Sequence, residues 1–506
     1  MSRSLYRRYL SAAGYTVSSG VVTRGALFLT SIIMARLLAP RDYGIYCLII
    51  SCLLALAPFA ELRLDIGLVK FLPEWLASGK ERVGSLVRST YGLALILVLP
   101  VTAAVVISAG PLARFFYHQP GLSTYLALTA PVLIVLVGYQ IGVGTLAGLQ
   151  DFRSLAAVQG TIAILQIILM IPAAYYWKLN GAFAAYAASW ACGAALVLVV
   201  SVKCLARRGM PFKGVRISCT ECPSLIHFSL GYLLATISWP LSFWCGNAIL
   251  TRFCGFESAA LFTVAISFGV WALFLPGYFT NPSLPFLSEA YAAERLPEFR
   301  TIVARNLRLI WLLAAPLAIF FTASSKILIS ILYGDKFLSA WPAAGLLSLA
   351  AVMSGSIGVI SQGFAGSGKI WEVAALNWLW VFSFGILAWL LAASWGVVGV
   401  GAAYLAATLL AYCAYAARAR ASLELKNTGA VLALTVLLPA FGLAFASAYD
   451  ASEISASLIG AALAFASALV LWRFLFSRTE RIRTFEMVCG MGAKARVAFL
   501  RANLNA

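Results

Sequence analysis

The amino-acid sequence predicts an all-α protein that crosses a membrane many times. Its 506 residues are 62% hydrophobic and 11% charged, whereas soluble proteins are roughly 45–50% apolar and about 25% charged. A mean hydropathy of +0.92 leaves too few polar residues to cover soluble domains. The apolar residues also occur in runs of about 20, the length that crosses a bilayer as a helix. We therefore expect lipid to surround most of the chain.

Apolar runs long enough to cross the hydrocarbon core predict about 14 transmembrane helices. The first run follows a short basic segment, and we expect it to be retained as a helix because it lacks a convincing signal-peptidase site. A polar stretch separates the sixth run from the seventh. The predicted spans cover residues 17–38, 44–66, 91–109, 122–142, 156–176, 181–202, 224–248, 258–280, 307–323, 341–361, 372–392, 397–417, 429–447 and 455–475.

The charge distribution predicts the orientation. A net charge of +19 would suggest a nucleic-acid partner in a soluble protein, but here the basic residues lie in short loops, and no nucleic acid is expected. Of the 37 Lys and Arg residues, 28 fall on the side of the two termini, seven fall on the opposite side, and two, Arg24 and Arg63, lie within predicted spans. Because basic loops stay in the cytoplasm, both termini are predicted to be cytoplasmic.

Short sequence matches between the two halves indicate a duplication. Four matches occur at shifts of 215 to 218 positions, each in the same topological place. Six spans per half keep the two copies in one orientation, an arrangement found in transporters that bind substrate between their halves and move them alternately. The matched segments are Ala35–Leu37 with Thr251–Phe253, Phe71–Glu74 with Phe286–Glu289, Ala147–Gly148 with Ala365–Gly366, and Gly181–Tyr186 with Gly399–Tyr404.

The duplication, the polar stretch and the last two spans together predict the domain organisation. An N-terminal six-helix bundle occupies residues 1–205, and a cytoplasmic linker occupies residues 206–222. A C-terminal six-helix bundle follows in residues 223–420, and two additional transmembrane helices lie in residues 421–476. Residues 477–506 form a basic cytoplasmic tail.

The segment Ala35–Tyr46 (Ala-Arg-Leu-Leu-Ala-Pro-Arg-Asp-Tyr-Gly-Ile-Tyr), with Asp65–Leu68 and Phe71–Trp75, resembles the opening of bacterial polysaccharide flippases. These are O-antigen and exopolysaccharide exporters of the multidrug/oligosaccharidyl-lipid/polysaccharide exporter superfamily. The resemblance implies that the chain flips an undecaprenyl-diphosphate-linked oligosaccharide across the bacterial cytoplasmic (inner) membrane by alternating access. It also implies that membrane lipids, a polysaccharide polymerase and a chain-length regulator are its partners.

Charged residues inside apolar spans are functional candidates because each costs about 2.5–3.5 kcal/mol to insert into a bilayer. Arg24 lies deep in the first predicted span. Its guanidinium is suited to bind a phosphate through two parallel hydrogen bonds, and the alternative is a pairing with a carboxylate of the second span. The flippases that the sequence resembles hold the lipid diphosphate in a cationic central cavity, which favours the phosphate contact.

Three further charges, Glu61, Arg63 and Asp65, lie at the inner end of the second predicted span. In a continuous helix Glu61 and Asp65 share one face, while Arg63 points elsewhere. The two carboxylates are candidates to bind a coupling ion, H⁺ or Na⁺, and Arg63 is a candidate second contact to the diphosphate. Pro58, just before them, is a place where the helix can open. The alternative is that the cluster only marks the interfacial end of the span.

The remaining candidates lie at span ends or on the seventh span. Arg36 and Arg252 occupy equivalent outer ends and are either exit-side phosphate contacts or, more commonly, interface anchors. On the seventh span, which Pro240 is expected to kink, aromatic and amide groups are candidate sugar contacts, although interfacial tryptophans more often belong to the membrane belt. These groups are Trp239, Trp244 and Asn247.

Other function classes find less support in the sequence. Gly366–Lys369 is only a fragment of a phosphate-binding loop, so ATP is not expected as the direct energy source. Cys219 and Cys222 lack a second pair, so neither a metal nor any cofactor beyond a coupling ion is expected. No long outer loop offers a catalytic domain, so the protein is expected not to be an enzyme. The alternatives are a cation-coupled multidrug exporter of the same superfamily and a non-transporting membrane component of polysaccharide assembly.

Overall fold

The computed structural model describes residue 20 and residues 22–78, 80–210, 222–280, 283–424, 439–449 and 452–475. Within these residues the regular secondary structure is helical throughout, and no strand occurs. The predicted all-α class is therefore confirmed. The basic tail and most of the linker, including Cys219, lie outside the described residues, as does the side chain of Cys222.

Within the residues that the structure describes, the first half of the chain contains six helices. A five-residue π-helical turn, Leu112–Phe116, extends the fourth helix. The helices are α1 (residues 22–37), α2 (Pro40–Glu61), α3 (Leu64–Ser78), α4 (Lys80–Pro111), α5 (Leu122–Gly148) and α6 (Phe152–Arg207).

The second half and the C-terminal region contain ten helices within the described residues. A 3₁₀ turn, Asp335–Ala340, leads into the thirteenth helix. The helices are α7 (Cys222–Thr236), α8 (Ser238–Cys254), α9 (Phe256–Thr280), α10 (Leu284–Ala292), α11 (Leu296–Ala323), α12 (Ser325–Leu332), α13 (Trp341–Gly366), α14 (Ile370–Leu423), α15 (residues 439–449) and α16 (Glu453–Leu475).

Nine helices of the described chain are long and apolar enough to cross a membrane, or ten if α7 and α8, bent by 47°, form one span. Two of the nine, α6 with 56 residues and α14 with 54, greatly exceed the roughly 20 residues that one crossing needs. Each contains a single residue with non-helical dihedral angles, Lys178 in α6 and Gly396 in α14. Each is therefore a hairpin of two helices, broken between predicted spans. The total of about 14 stays a prediction.

The duplication is visible in the backbone. Lys178 and Gly396, 218 positions apart, have φ/ψ angles of 50°/−131° and 53°/−132°. Elsewhere, a Cβ atom added to Gly148 would lie 2.9 Å from the Cβ of Leu72, and one added to Gly366 would lie 2.9 Å from the Cβ of Leu287. These pairs are related by the shifts that the sequence matches predict. The two halves therefore repeat both their kinks and their close helix contacts.

The described chain divides into two compact units that do not follow chain order. The first unit contains the residues up to Val264, with Leu328–Ala343 and Lys369–Ala407. The second contains Ala265–Ile327, Ala344–Gly368 and the residues from Thr408 onward. Within the second unit, α16 packs along α11. The predicted domain boundaries are not tested by this division and stay predictions.

The two kinks lead to a prediction about stability. Lys178 occupies a left-handed conformation that costs a residue with a Cβ about 1–3 kcal/mol, whereas Gly396 adopts it freely. We expect Lys178→Gly to stabilise the protein by about 1 kcal/mol, because relief of strain exceeds the added entropy of the unfolded chain. We expect Gly396→Ala to destabilise it by about 1–3 kcal/mol. Unfolding midpoints of the detergent-solubilised protein measure both.

Gly385→Ala in α14 is the matched control, because a Cβ there meets nothing within 4 Å and alanine is favoured in a helix by about 1 kcal/mol. If Gly396→Ala is no less stable than Gly385→Ala, the kink exerts no strain on a residue with a side chain.

Candidate functional site

The charges predicted at the inner end of the second span lie at a break between two helices. α2 ends at Glu61, and α3 begins at Leu64. Between them, Leu62 and Arg63 have φ angles of 51° and 54°, a left-handed conformation that is unfavourable for residues with a Cβ. Pro58 lies inside α2, one turn before its end. Tertiary contacts must therefore hold the break open.

At this break Arg63 bridges the two carboxylates, and we call Glu61, Arg63 and Asp65 the charged triad. The Arg63 Nη1 atom lies 3.6 Å from Oε1 of Glu61, and Nη2 lies 3.2 Å from Oδ2 of Asp65. The expectation that Arg63 points away from the carboxylates was wrong, because it assumed a continuous helix. The left-handed residues change the direction of the chain and bring all three side chains together.

The charged triad is buried and incompletely satisfied. The Glu61 side chain is 1% exposed and that of Arg63 20% exposed. Among the described residues, no hydrogen-bond partner exists for either Oε atom of Glu61, for Nε of Arg63 or for Oδ1 of Asp65. Two carboxylates and one guanidinium leave a net charge of minus one when all three are ionised. Because buried charge is costly unless it is paired, this cluster is suited to accept a further cation.

Glycines bring the neighbouring helices close to the break. A Cβ on Gly144 of α5 would lie 2.5 Å from the carbonyl oxygen of Asp65, and one on Gly148 would lie 2.7 Å from that of Leu68. On the opposite side, a Cβ on Gly67 would lie 2.8 Å from Oγ of Ser229 on α7. α3 is therefore held tightly between α5 and α7.

Two cations of the α2–α3 region face aromatic rings of α7, and we call this contact the α3–α7 seam. The Arg63 Cζ atom lies 5.7 Å from the ring centroid of Tyr232. The Lys70 Nζ atom lies 4.2 Å from the centroid of Phe228 and 4.9 Å from that of Phe71. The sequence interpretation missed Lys70, which lies on α3, beyond the break that contains Arg63.

Arg24, the other cationic candidate, lies on α1 and is exposed. Its proposed contact with phosphate stays a prediction.

Arg36 binds a neighbouring helix end. Its Nε donates a hydrogen bond of 2.8 Å to the carbonyl oxygen of Leu332. Its Nη2 also donates a hydrogen bond to the carbonyl oxygen of Ile331. Lys336 in turn donates to the carbonyl oxygen of Leu38, at 2.8 Å, after the end of α1. Cations at helix C-termini satisfy free carbonyl groups, so Arg36 caps the end of α12, and its roles as phosphate contact or interface anchor stay predictions. Arg252 lies half-buried in the last turn of α8.

The three candidate sugar contacts differ in exposure. Trp239 is 43% exposed and stacks on Phe243. Trp244 is partly buried and packs against an apolar cluster. Asn247 is fully buried, donates a hydrogen bond of 3.0 Å to the carbonyl oxygen of Phe243 and accepts one of 3.3 Å from Thr263. In this conformation Asn247 has no surface for a sugar, and Trp239 has the most. The bend precedes Pro240, at Ile237.

Comparisons with known proteins find relatives in polysaccharide biosynthesis and export. The family described as "Polysaccharide biosynthesis protein" matches residues 33–342. The EPS I polysaccharide export inner membrane protein EpsE of Ralstonia solanacearum is 24% identical over 406 residues, covering 79% of this chain and 87% of EpsE. The EpsE protein of Ralstonia nicotianae is 23% identical over the same length.

Solved structures of two transporters share the fold. The lipid II flippase MurJ, in an inward closed conformation, matches with a TM-score of 0.69 at 12% identity, covering 92% of this chain and 99% of MurJ. An inward-facing multidrug resistance transporter of the MATE family and MOP superfamily matches with a TM-score of 0.67 at 16% identity, covering 80% of this chain and 95% of that chain. The predicted family resemblance is confirmed.

Removal of the central cation should destabilise the protein. Arg63→Ala leaves two buried carboxylates without their partner, and breaking a buried ion pair costs about 3–5 kcal/mol. We expect the lower end of this range because Arg63 is 20% exposed. Adding Glu61→Gln and Asp65→Asn to Arg63→Ala should restore most of the loss. Unfolding midpoints in detergent measure each variant.

Arg295→Ala is the matched control, because Arg295 also lies between two carboxylates, 3.2 Å from Glu289 and 2.8 Å from Glu298, but is 48% exposed. Exposed ion pairs contribute about 0–1 kcal/mol. Equal losses for Arg63→Ala and Arg295→Ala would contradict the special role of burial at the charged triad.

Proposed function

The chain belongs to the family of polysaccharide biosynthesis proteins, and from this premise we propose that it flips an undecaprenyl-diphosphate-linked oligosaccharide across the bacterial inner membrane by alternating access. It is a multi-pass membrane transporter. The name of the EpsE relatives, polysaccharide export inner membrane protein, supports both the cargo and the location. The excess of basic residues in the loops on the side of the termini supports cytoplasmic N- and C-termini.

The observation that carries this proposal is the buried, negatively charged triad at a helix break. It occurs only in the first half, because the positions related to it by the shift of 215 are Pro276, Tyr278 and Thr280. Because the duplicated second half lacks this charged triad, the triad is the place where we propose that ion binding is coupled to transport. Gly67 and Gly144 pack tightly around the break. We therefore expect a change of charge at the triad to shift the positions of α5 and α7.

The proposed chemistry is an exchange of partners at Arg63. A diphosphate offers oxygen atoms that accept two parallel hydrogen bonds from a guanidinium, and it carries more charge than a carboxylate. When the head group binds Arg63, with Arg24 as a second cationic contact, Glu61 and Asp65 lose their partner. Their buried negative charge then favours uptake of H⁺ or Na⁺. Release of the head group on the other side returns Arg63 to the carboxylates and releases the ion.

The substrate that we propose for the transporter also indicates which proteins it works with. An oligosaccharide moved across the membrane must be consumed by a polymerising reaction there, so a polysaccharide polymerase and its chain-length regulator are the protein partners we propose.

The first test is polymer export in cells whose only copy of the protein carries a substitution at Arg24. We expect Arg24→Ala to abolish export at normal protein levels in the membrane and Arg24→Lys to restore part of it, because a cation is required. Arg153→Ala, at an exposed arginine of α6, is the control and should export normally. Normal export by both Arg24 variants would make Arg24 structural and refute the proposed cationic contact. Drug susceptibility that changes while export does not would favour the multidrug exporter.

The second test concerns the coupling ion. Wild-type protein in liposomes should flip a fluorescent lipid-linked oligosaccharide faster when a gradient of either H⁺ or Na⁺ runs in the direction of flipping, because the proposed exchange takes up the ion with the head group and releases it on the same side. Glu61→Gln should lose this gradient dependence and keep a slow basal rate, because a neutral amide is not protonated near neutral pH and lacks the negative charge that attracts Na⁺. Glu257→Gln, at an exposed residue of α9, is the control. Gradient dependence that survives Glu61→Gln excludes this carboxylate as the coupling group.

A further inference from the structure

The α3–α7 seam places two cations opposite two aromatic rings of α7. Arg63 faces Tyr232, and Lys70 faces Phe228, so a step forward along α3 corresponds to a step backward along α7. Lys70 lies almost two turns into α3, about 9 Å along the axis from Leu64, the residue that follows Arg63. Gly67 lies between them and allows α7 to approach closely. The seam is therefore an antiparallel contact with a cation at each end.

The two cations differ in what surrounds them. Arg63 is shared by two carboxylates and is mostly buried. Lys70 is exposed, and among the side chains that the structure describes, which do not include Glu74, its contacts are the rings of Phe71 and Phe228. These rings meet edge to face, with centroids 5.8 Å apart. A ring face attracts an ammonium group without cancelling its charge.

This environment orients the Lys70 ammonium towards the rings and leaves it able to bind an anion. The group has three N–H donors, and the rings hold it in place on one side while it remains exposed on another. A lysine is a compact, hydrated point charge, whereas an arginine offers a planar pair of donors. A phosphate that binds first to the exposed lysine and then to the buried arginine would therefore lose its hydration water in two steps.

We propose that Lys70, held by Phe71 and Phe228, is the docking site for the diphosphate of the lipid-linked substrate before it reaches Arg63. This inference rests on the proposed function, because it assumes a substrate with a phosphorylated head group. It adds a binding residue and an order of events. The head group first exchanges water for the Lys70 ammonium at the exposed end of the α3–α7 seam. It then moves to the charged triad.

The test uses the full-length protein in detergent and farnesyl diphosphate as the probe, with binding measured by calorimetry. We expect Lys70→Gln to weaken binding about tenfold, as for the loss of a hydrogen bond to a charged group, and to reduce its dependence on salt. Lys70→Arg should keep most of the affinity. Lys203→Gln, at an exposed lysine of α6 in the same unit, is the matched control and should bind like the wild type.

Two further probes separate phosphate docking from other effects. Inorganic pyrophosphate should show the same loss in Lys70→Gln, and farnesol, which lacks phosphate, should show none. Equal affinity of Lys70→Gln and Lys203→Gln for farnesyl diphosphate overturns the docking site while the proposed function stands. Weaker binding of farnesol in Lys70→Gln, with a lower unfolding midpoint, overturns it in favour of a packing role. No binding of any diphosphate by the wild-type protein refutes the proposed substrate class itself.

Discussion

The pairing of Arg63 with Glu61 and Asp65 is the interaction on which the functional part of this structure depends. A single guanidinium between two buried carboxylates leaves one negative charge uncompensated, and lipid or packed protein offers no water to screen it. The left-handed backbone at Leu62 and Arg63 is itself unfavourable. Two unfavourable features at one place persist only if the surrounding helices enforce them. The close contacts of α5 and α7 with α3 do so, and they make the break a point where charge and helix position are linked.

Much of the fold could be predicted because a bilayer imposes a simple rule on the sequence. Backbone groups in lipid must bond within their own helix, so the length and spacing of apolar runs mark the helices. Even the breaks within α6 and α14 fall in the predicted gaps at Lys178 and Gly396. Near Glu61 the sequence predicted only that the helix can open at Pro58, and the reversal of backbone handedness one turn later was not predicted. A left-handed conformation at Leu62 and Arg63 is selected by tertiary packing, which a local pattern does not contain.

The candidate site was predictable in composition but not in geometry. Intramembrane charge is rare enough to draw attention to Glu61, Arg63 and Asp65 from sequence alone. Their partners on α7 are more distant in sequence, and nothing near Lys70 or Tyr232 signals that contact. Polarity also fails to distinguish a residue that lines a cavity from one that satisfies the core. Asn247 was a sugar candidate for its amide, yet both ends of that amide bond to protein.

The helical hairpins α6 and α14 also bear on how the protein can be studied and recognised. Each reverses direction at a single non-helical residue, with no intervening loop. A protease or an antibody that needs several residues of extended chain therefore finds no such segment at either turn. An epitope tag inserted at Lys178 or Gly396 would have to separate two packed helices, so topology mapping has to rely on single-residue labels there.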